Sequence, residues 1–182
     1  NPYDAKGLLM SAIQEDNLVV FSEDKTLLGQ KGNVPEEPYT IEIGKANVTR
    51  EGDDLTIVAI GKMVAVAEET AEKLAEDQVS VEVIDLRSVS PWDQETVLDS
   101  VKKTGRLIVI DESNPQCNIA GDVASVIGDV GFDYLDGPIK KVTAPDTPVP
   151  FAANLEAAYM PNTDKVLDIA SELIDDLKKA NA

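Results

Sequence analysis

A three-layer α/β fold, with a mainly parallel open sheet and helices on both faces, is predicted for this 182-residue chain by three observations. Short continuous apolar runs alternate with longer amphipathic stretches from residue 46 onward, the rhythm of strand–helix units in a parallel sheet. The chain is 43% apolar but only 4% aromatic, so its core has to be built from Val, Ile, Leu and Ala. Glycine and proline fall between the runs rather than inside them.

The elements follow in order. Asp4 to Ile13 reads as a helix, with Asp4 able to cap it and Leu8, Leu9 and Ile13 on one face. Leu18-Val19-Val20-Phe21 reads as a short buried strand. From Ser22 to Pro38 the pattern dissolves into Gly29, Gly32, Pro35 and charges, which predicts a linker or crossover. Tyr39 to Ile43 alternates like an edge strand. Leu55 to Ile60 is then a strand and Met63 to Glu76 a helix. Val79 to Leu86 is a strand, and the next helix opens at Ser90-Pro91, with Ser90 as N-cap and Pro91 in the first turn, and runs to Lys103. Leu107 to Ile110 is a strand, Ile119 to Val130 a helix, Ile139 to Val142 a strand, and Thr163 to Lys179 a closing amphipathic helix. In that last helix Val166, Leu167, Ile169, Ala170, Leu173 and Ile174 are expected inward, and Asp164, Asp168, Glu172, Asp175 and Asp176 outward.

Composition narrows the chemistry. Sixteen basic residues stand against 34 acidic ones, a net charge of −18. Such a chain repels phosphate backbones and anionic lipid, so neither nucleic acid nor a membrane is an expected partner. There is no histidine and one cysteine. A Ser-His-Asp triad, a His-ligated metal and a multi-Cys site are therefore impossible within it. The chain opens Asn1-Pro2-Tyr3, without Met, and is expected to be a fragment.

Several constellations admit a functional and a structural reading. Gly61-Lys62-Met63 is a strand–turn–helix junction, either a plain turn or an anion contact at a helix amino terminus. Asp85 and Arg87 follow a strand, where open sheets place ligands, or they form a local ion pair with Arg87 pinning a loop. Asp111 and Glu112 close a strand, but neighbours on a strand face opposite ways, so no aligned dyad is expected. Cys117 reads as a small apolar residue near a helix start rather than a nucleophile. Asp129, Asp133 and Asp136 alternate with Phe132, Tyr134 and Leu135, either a solvated acidic face or a dock for a basic partner.

A set of stretches resembles one family. It comprises Asp4-Ala5-Lys6-Gly7-Leu8-Leu9, Val34-Pro35-Glu36-Glu37-Pro38-Tyr39, Ile43-Gly44-Lys45-Ala46 and Arg50-Glu51-Gly52-Asp53-Asp54-Leu55. Further on stand Val81-Glu82-Val83-Ile84-Asp85-Leu86-Arg87-Ser88-Val89-Ser90-Pro91-Trp92-Asp93, Ser100-Val101-Lys102-Lys103-Thr104-Gly105-Arg106 and Ala144-Pro145-Asp146-Thr147-Pro148-Val149-Pro150-Phe151. In order and along the whole chain, they resemble the beta subunit of the thiamine-diphosphate-dependent component of 2-oxo acid dehydrogenase complexes. The stretch Asp111 to Ala120 looks more like the acetoin dehydrogenase branch than the pyruvate or branched-chain ones.

The resemblance implies a division into 1–25, the tail end of a pyrimidine-binding domain, 26–45, a linker, and 46–182, a transketolase-like C-terminal domain. It implies a cytoplasmic protein and three partners: an alpha subunit, a second beta subunit, and the basic peripheral domain of an acyltransferase core that docks near Asp129, Asp133 and Asp136. Thiamine diphosphate and Mg²⁺ belong to the parent enzyme and are not expected on this chain alone, and no catalytic residue is carried over. A potassium ion held partly by main-chain oxygens of Ala12, Glu15 and Asn17 is the one implied ligand site. Two other readings stay open: a stand-alone α/β interaction module, and a small-molecule-binding domain using the Gly61 turn.

Overall fold

The computed structural model describes residues 1–180, with side chains through Ile174. Helix α1 (Pro2–Gln14) leads into an extended segment without regular structure up to residue 46. Then follow β1 (Asn47–Arg50), β2 (Leu55–Ala59), α2 (Met63–Glu76), β3 (Val81–Asp85), α3 (Gln94–Thr104), β4 (Leu107–Ile110) and α4 (Ile119–Val130). A 3₁₀ turn (Phe132–Tyr134), β5 (Lys140–Val142), α5 (Ala153–Tyr159) and α6 (Thr163–Ala180) complete the order. The five strands form one sheet in the order β1-β3-β2-β4-β5, parallel except for antiparallel β1.

Alternation along the strands builds the three layers. Leu55, Ile57 and Ala59 of β2, with Ile108 and Ile110 of β4, face α2 and α6. Val58, Leu107 and Val109 turn the other way, with Ile84, and meet α3 and α4. A two-residue period on central strands buried on both faces is what makes those strands continuously apolar in sequence. In β2 one polar residue breaks the run. Thr56 of β2 faces α3, where its hydroxyl meets Ser100 Oγ at 2.6 Å and Thr104 Oγ1 at 2.7 Å, so its burial leaves nothing unpaired.

The two sheet edges differ from the middle. β1 pairs with β3 through a register shift between Val48 and Arg50. β5 is three residues long and carries Lys140 and Lys141.

The expected architecture is the observed one, but several local expectations are corrected. Leu18 to Phe21 is not a strand: Leu18 is 96% exposed and Val20 87%, because no neighbouring strand offers partners for the backbone there. Tyr39 to Ile43 is not a strand either, since the Ile41 amide donates to Gly7 O of α1 at 3.2 Å. Leu9 and Ile13 stay exposed, and α1 buries Asp4 and Gly7 instead. Asn1, not Asp4, caps α1, accepting from the Asp4 amide at 2.9 Å. Helix α3 starts at Gln94 with Asp93 as its cap, three residues beyond Ser90, and the Ser90–Pro91 bond is cis. Asp93 wins because its carboxylate serves both sides of the junction: it accepts from Thr96 N and Thr96 Oγ1 within α3 and from Ala46 N across the sheet edge. Gly105 ends α3 at φ 69°, the left-handed conformation glycine adopts without cost. In α6 the inward and outward assignments hold through Ile174, and the side chains of Asp175 and Asp176 lie outside the described residues.

Candidate functional site

The chain runs from β2 outward to β3 on one side, then crosses to β4 on the other. The carboxyl ends of β2 and β4 therefore flank the topological switch point, where open sheets hold ligands. The Gly61-Lys62 loop follows β2. Lys62 Nζ lies 2.8 Å from Glu112 beyond β4 and 3.9 Å from Asp24 of the amino-terminal segment. The hydrogen bond to Glu112 holds the Lys62 ammonium above its ordinary pKa. Asp24 is held below the usual carboxylate value, first by the Thr26 hydroxyl and less by the charge of Lys62.

An anion reading of the Gly61 turn fails on its donors. Gly61 sits at φ 58° with open space around it. The first amides of α2, however, are already used: Met63 N bonds Ile60 O, Val64 N bonds Gly61 O and Ala65 N bonds Lys62 O.

Arg87 does not form the local pair with Asp85. Its Nη2 donates to Asp4 Oδ1 at 2.5 Å, across 83 residues, and both side chains are largely buried. Only its backbone amide reaches Asp85, at 3.0 Å. Burial is the main force lifting the Asp85 carboxyl above its ordinary value, and the charge of Asp4 adds to it. Asp111 and Glu112 diverge. Buried Asp111 accepts from Ser113 N at 2.9 Å and Ala120 N at 3.4 Å, tying down the start of α4, while Glu112 takes Lys62. Cys117 is exposed and not part of the core.

Asp129, Asp133 and Asp136 all lie on the surface, around the turn that follows α4. That turn brings Phe132, 71% exposed, and Tyr134, 46% exposed, into the same neighbourhood. A shallow depression beside them is lined by Gly128, Phe132, Leu135, Asp136, Gly137 and Ile139. Apolar surface and negative charge therefore coexist there. Ala12 lies in the last turn of α1, Glu15 is its C-cap and Asn17 follows in the exposed stretch beyond. Sequence reasoning missed the pairs Asp4–Arg87 and Asp24–Lys62, which bring distant acids onto cations of the strand-end loops.

The layers, strand order and strand-end loops define a doubly wound α/β domain with one antiparallel edge strand. The chain belongs to the transketolase C-terminal domain family, whose description "Transketolase, C-terminal domain" matches residues 44–166. It is 52% identical over 174 residues to the acetoin:2,6-dichlorophenolindophenol oxidoreductase subunit beta of Bacillus subtilis (strain 168), covering 96% of this chain and 51% of that protein. It is 46% identical over 165 residues to the subunit of the same name in Cupriavidus necator, covering 91% of this chain and 49% of that one. It is also 46% identical over 175 residues to the pyruvate dehydrogenase E1 component subunit beta of Bacillus subtilis, 96% and 54% covered. The chain thus spans about half the length of the curated relatives it matches. Among solved structures it resembles a split-gene transketolase described as an inactive beta4 tetramer, with TM-score 0.66, 27% identity and coverage of 79% of this chain and 46% of that one. No helix among the described residues is long and apolar enough to cross a membrane.

Proposed function

We propose that this chain is the C-terminal half of the beta subunit of a thiamine-diphosphate-dependent 2-oxo acid or acetoin dehydrogenase. The observation that carries this reading is the likeness at 52% identity over nearly the whole chain to an acetoin oxidoreductase beta subunit. The pyruvate dehydrogenase relative is less similar, which favours acetoin as substrate. Residues 1–25 are the tail of the pyrimidine-binding domain, 26–45 the linker, and 46–182 the C-terminal domain. In support of that division, no residue of 1–45 enters either apolar layer of the sheet.

In this reading the half-subunit pairs with a second beta subunit, contacts the alpha subunit and docks the basic peripheral domain of an acyltransferase core in the cytoplasm. Decarboxylation or acetoin cleavage and acyl transfer to a lipoyl arm belong to the whole heterotetramer. Thiamine diphosphate and Mg²⁺ supply the carbanion chemistry of that assembly. This chain's own residues do not fit them. Its strand-end carboxylates are committed to Lys62 and to backbone amides, and Arg87 is taken by Asp4 of α1. No group of three or more metal-binding side chains is gathered among the described residues. A K⁺ ion suits the main-chain oxygens of Ala12, Glu15 and Asn17 better, because carbonyls at the end of a helix run out of intrahelical amides.

The test is to express the whole subunit from its coding frame with the alpha subunit, then follow reduction of 2,6-dichlorophenolindophenol. Acetoin-dependent reduction is expected, faster than with pyruvate or branched-chain 2-oxo acids. No reduction with any of these substrates would leave the non-catalytic interaction module as the better reading.

A further inference from the structure

We propose that Val149, Phe151 and Leu155 form the seat on which the preceding domain of the subunit packs, and this rests on the reading of residues 1–25 as the tail of that domain. Phe151 is fully exposed, and Val149 and Leu155 are more than half so. Helix α5 buries only Tyr159. From Thr147 to Ala158 the one charged residue is Glu156, in a chain that is 27% charged. An exposed stretch that is apolar and poor in charge has the composition of an interface core, not of a solvated surface.

The backbone that carries these side chains is fixed. Pro145, Pro148 and Pro150 restrict it, and the loop after β4 ties it down. Asn114 Nδ2 donates to Pro145 O at 3.1 Å and to Thr147 O at 3.3 Å, and the Tyr159 hydroxyl donates to Thr147 O at 3.4 Å. Lys165 Nζ holds the far end of α5 through Ala158 O at 3.1 Å and Met160 O at 3.0 Å. Both ends of the segment are thus anchored in the domain while its apolar side chains are left outside. Anchor residues held out on a rigid backbone lose little freedom when a partner covers them.

The occupant follows from what already touches this edge of the sheet. Lys62, on the loop after β2, feels the charge of Glu156 on α5 and lies 3.9 Å from Asp24. It therefore stands within electrostatic reach of both the tail of the preceding domain and α5. Val20 and Leu28, each four residues from Asp24, are exposed as well. A domain whose tail is held at Lys62 reaches α5 by extending the same contact. A second copy fits less well, because isologous pairing through this face would set Glu156 near its own counterpart.

Carbene footprinting of the whole beta subunit, with and without the alpha subunit, tests this. Expected is labelling of residues 149–155 about tenfold below that of the urea-unfolded subunit, already in the beta subunit alone and independent of its concentration. Labelling within about twofold of the unfolded subunit overturns the proposal. So does protection that arises only on adding the alpha subunit, or only as the beta subunit is concentrated, since the occupant is then that subunit or a second copy. Where 149–155 is unprotected, acetoin-dependent dye reduction by the same preparation with the alpha subunit tells which idea has failed. Activity retained sinks the seat alone, and no activity sinks the underlying reading with it.

Discussion

Lys103 of α3 donates its ammonium to the carboxylate of Glu82, a residue of β3 that is otherwise sealed between the sheet and that helix. Burial alone would push the Glu82 carboxyl up, but the hydrogen bonds from Lys103 and Ser100 and the Lys103 charge outweigh it and hold the group below its ordinary value.

Removing the cation leaves a buried charge alone, which costs more than the pair contributes. Lys103→Met is expected to lower stability by about 1–3 kcal/mol at pH 7, trimmed by solvent because the lysine end is half exposed. The group is depressed in the folded chain, so its contribution is present above the ordinary Glu value and fades as pH falls through the folded one. Urea unfolding of the parent and the variant at pH 7 and pH 3 should show the gap closing with acid. An equal gap at both would count against the pairing.

Asp85 has the opposite sign. Its folded carboxyl sits above the ordinary 3.8, so stability falls as pH rises from that value through the folded one, and stays lower above it. Asp85→Asn is expected to raise the thermal midpoint at pH 7 by about 2–4 °C, the change that one kcal/mol gives in a chain of this size. At pH 3 the difference should vanish. A lower midpoint at pH 7 would show that the carboxylate's bond to the Arg87 amide matters more than its burial.

Gly52 is a close-approach glycine. A Cβ there would lie 2.2 Å from the Val81 carbonyl carbon and 2.3 Å from Glu82 N, both backbone atoms of the neighbouring strand. Gly52→Ala is expected to cost about 1–3 kcal/mol or more, since the edge between β1 and β3 has to shift. Gly61→Ala, with φ 58° but open space, serves as the comparison and should lose only the conformational cost of about 1–2 kcal/mol. Calorimetry ranking Gly61→Ala as the more damaging would refute the crowding argument.

The acidic turn after α4 is expected to bind a lysine-rich peripheral domain with a rate that falls as salt rises. Asp133→Asn with Asp136→Asn should weaken that association and flatten its salt dependence, measured by surface plasmon resonance at 50 and 200 mM NaCl. Unchanged affinity and slope would return these acids to the role of solvated surface.

The buried strands and the helices that cover them were legible because each is specified by its own residues: Leu107 to Ile110 and Ile119 to Val130 have the same bounds in sequence and structure. Partnership was not legible. Leu18 to Phe21 has strand composition, but a strand exists only beside another, and no residue nearby says that one is missing. Asn47 to Arg50 has a weak pattern and becomes a strand because β3 offers it an edge. At the candidate site, the acids 129, 133 and 136 were visible as a local cluster. Arg87 was visible only as a cation after a strand, since nothing in its neighbourhood points to Asp4.

The unequal edges of the sheet bear on how copies of this chain behave when crowded. An open edge invites a strand from another molecule, the first step toward cross-β aggregation. One edge here is kinked by the register shift beside Arg50, and the other is three residues long with two lysines in it. Neither offers a flat, uncharged ladder. Among the described residues neither edge invites a sixth strand, so association between copies is expected to run through helix faces and loops.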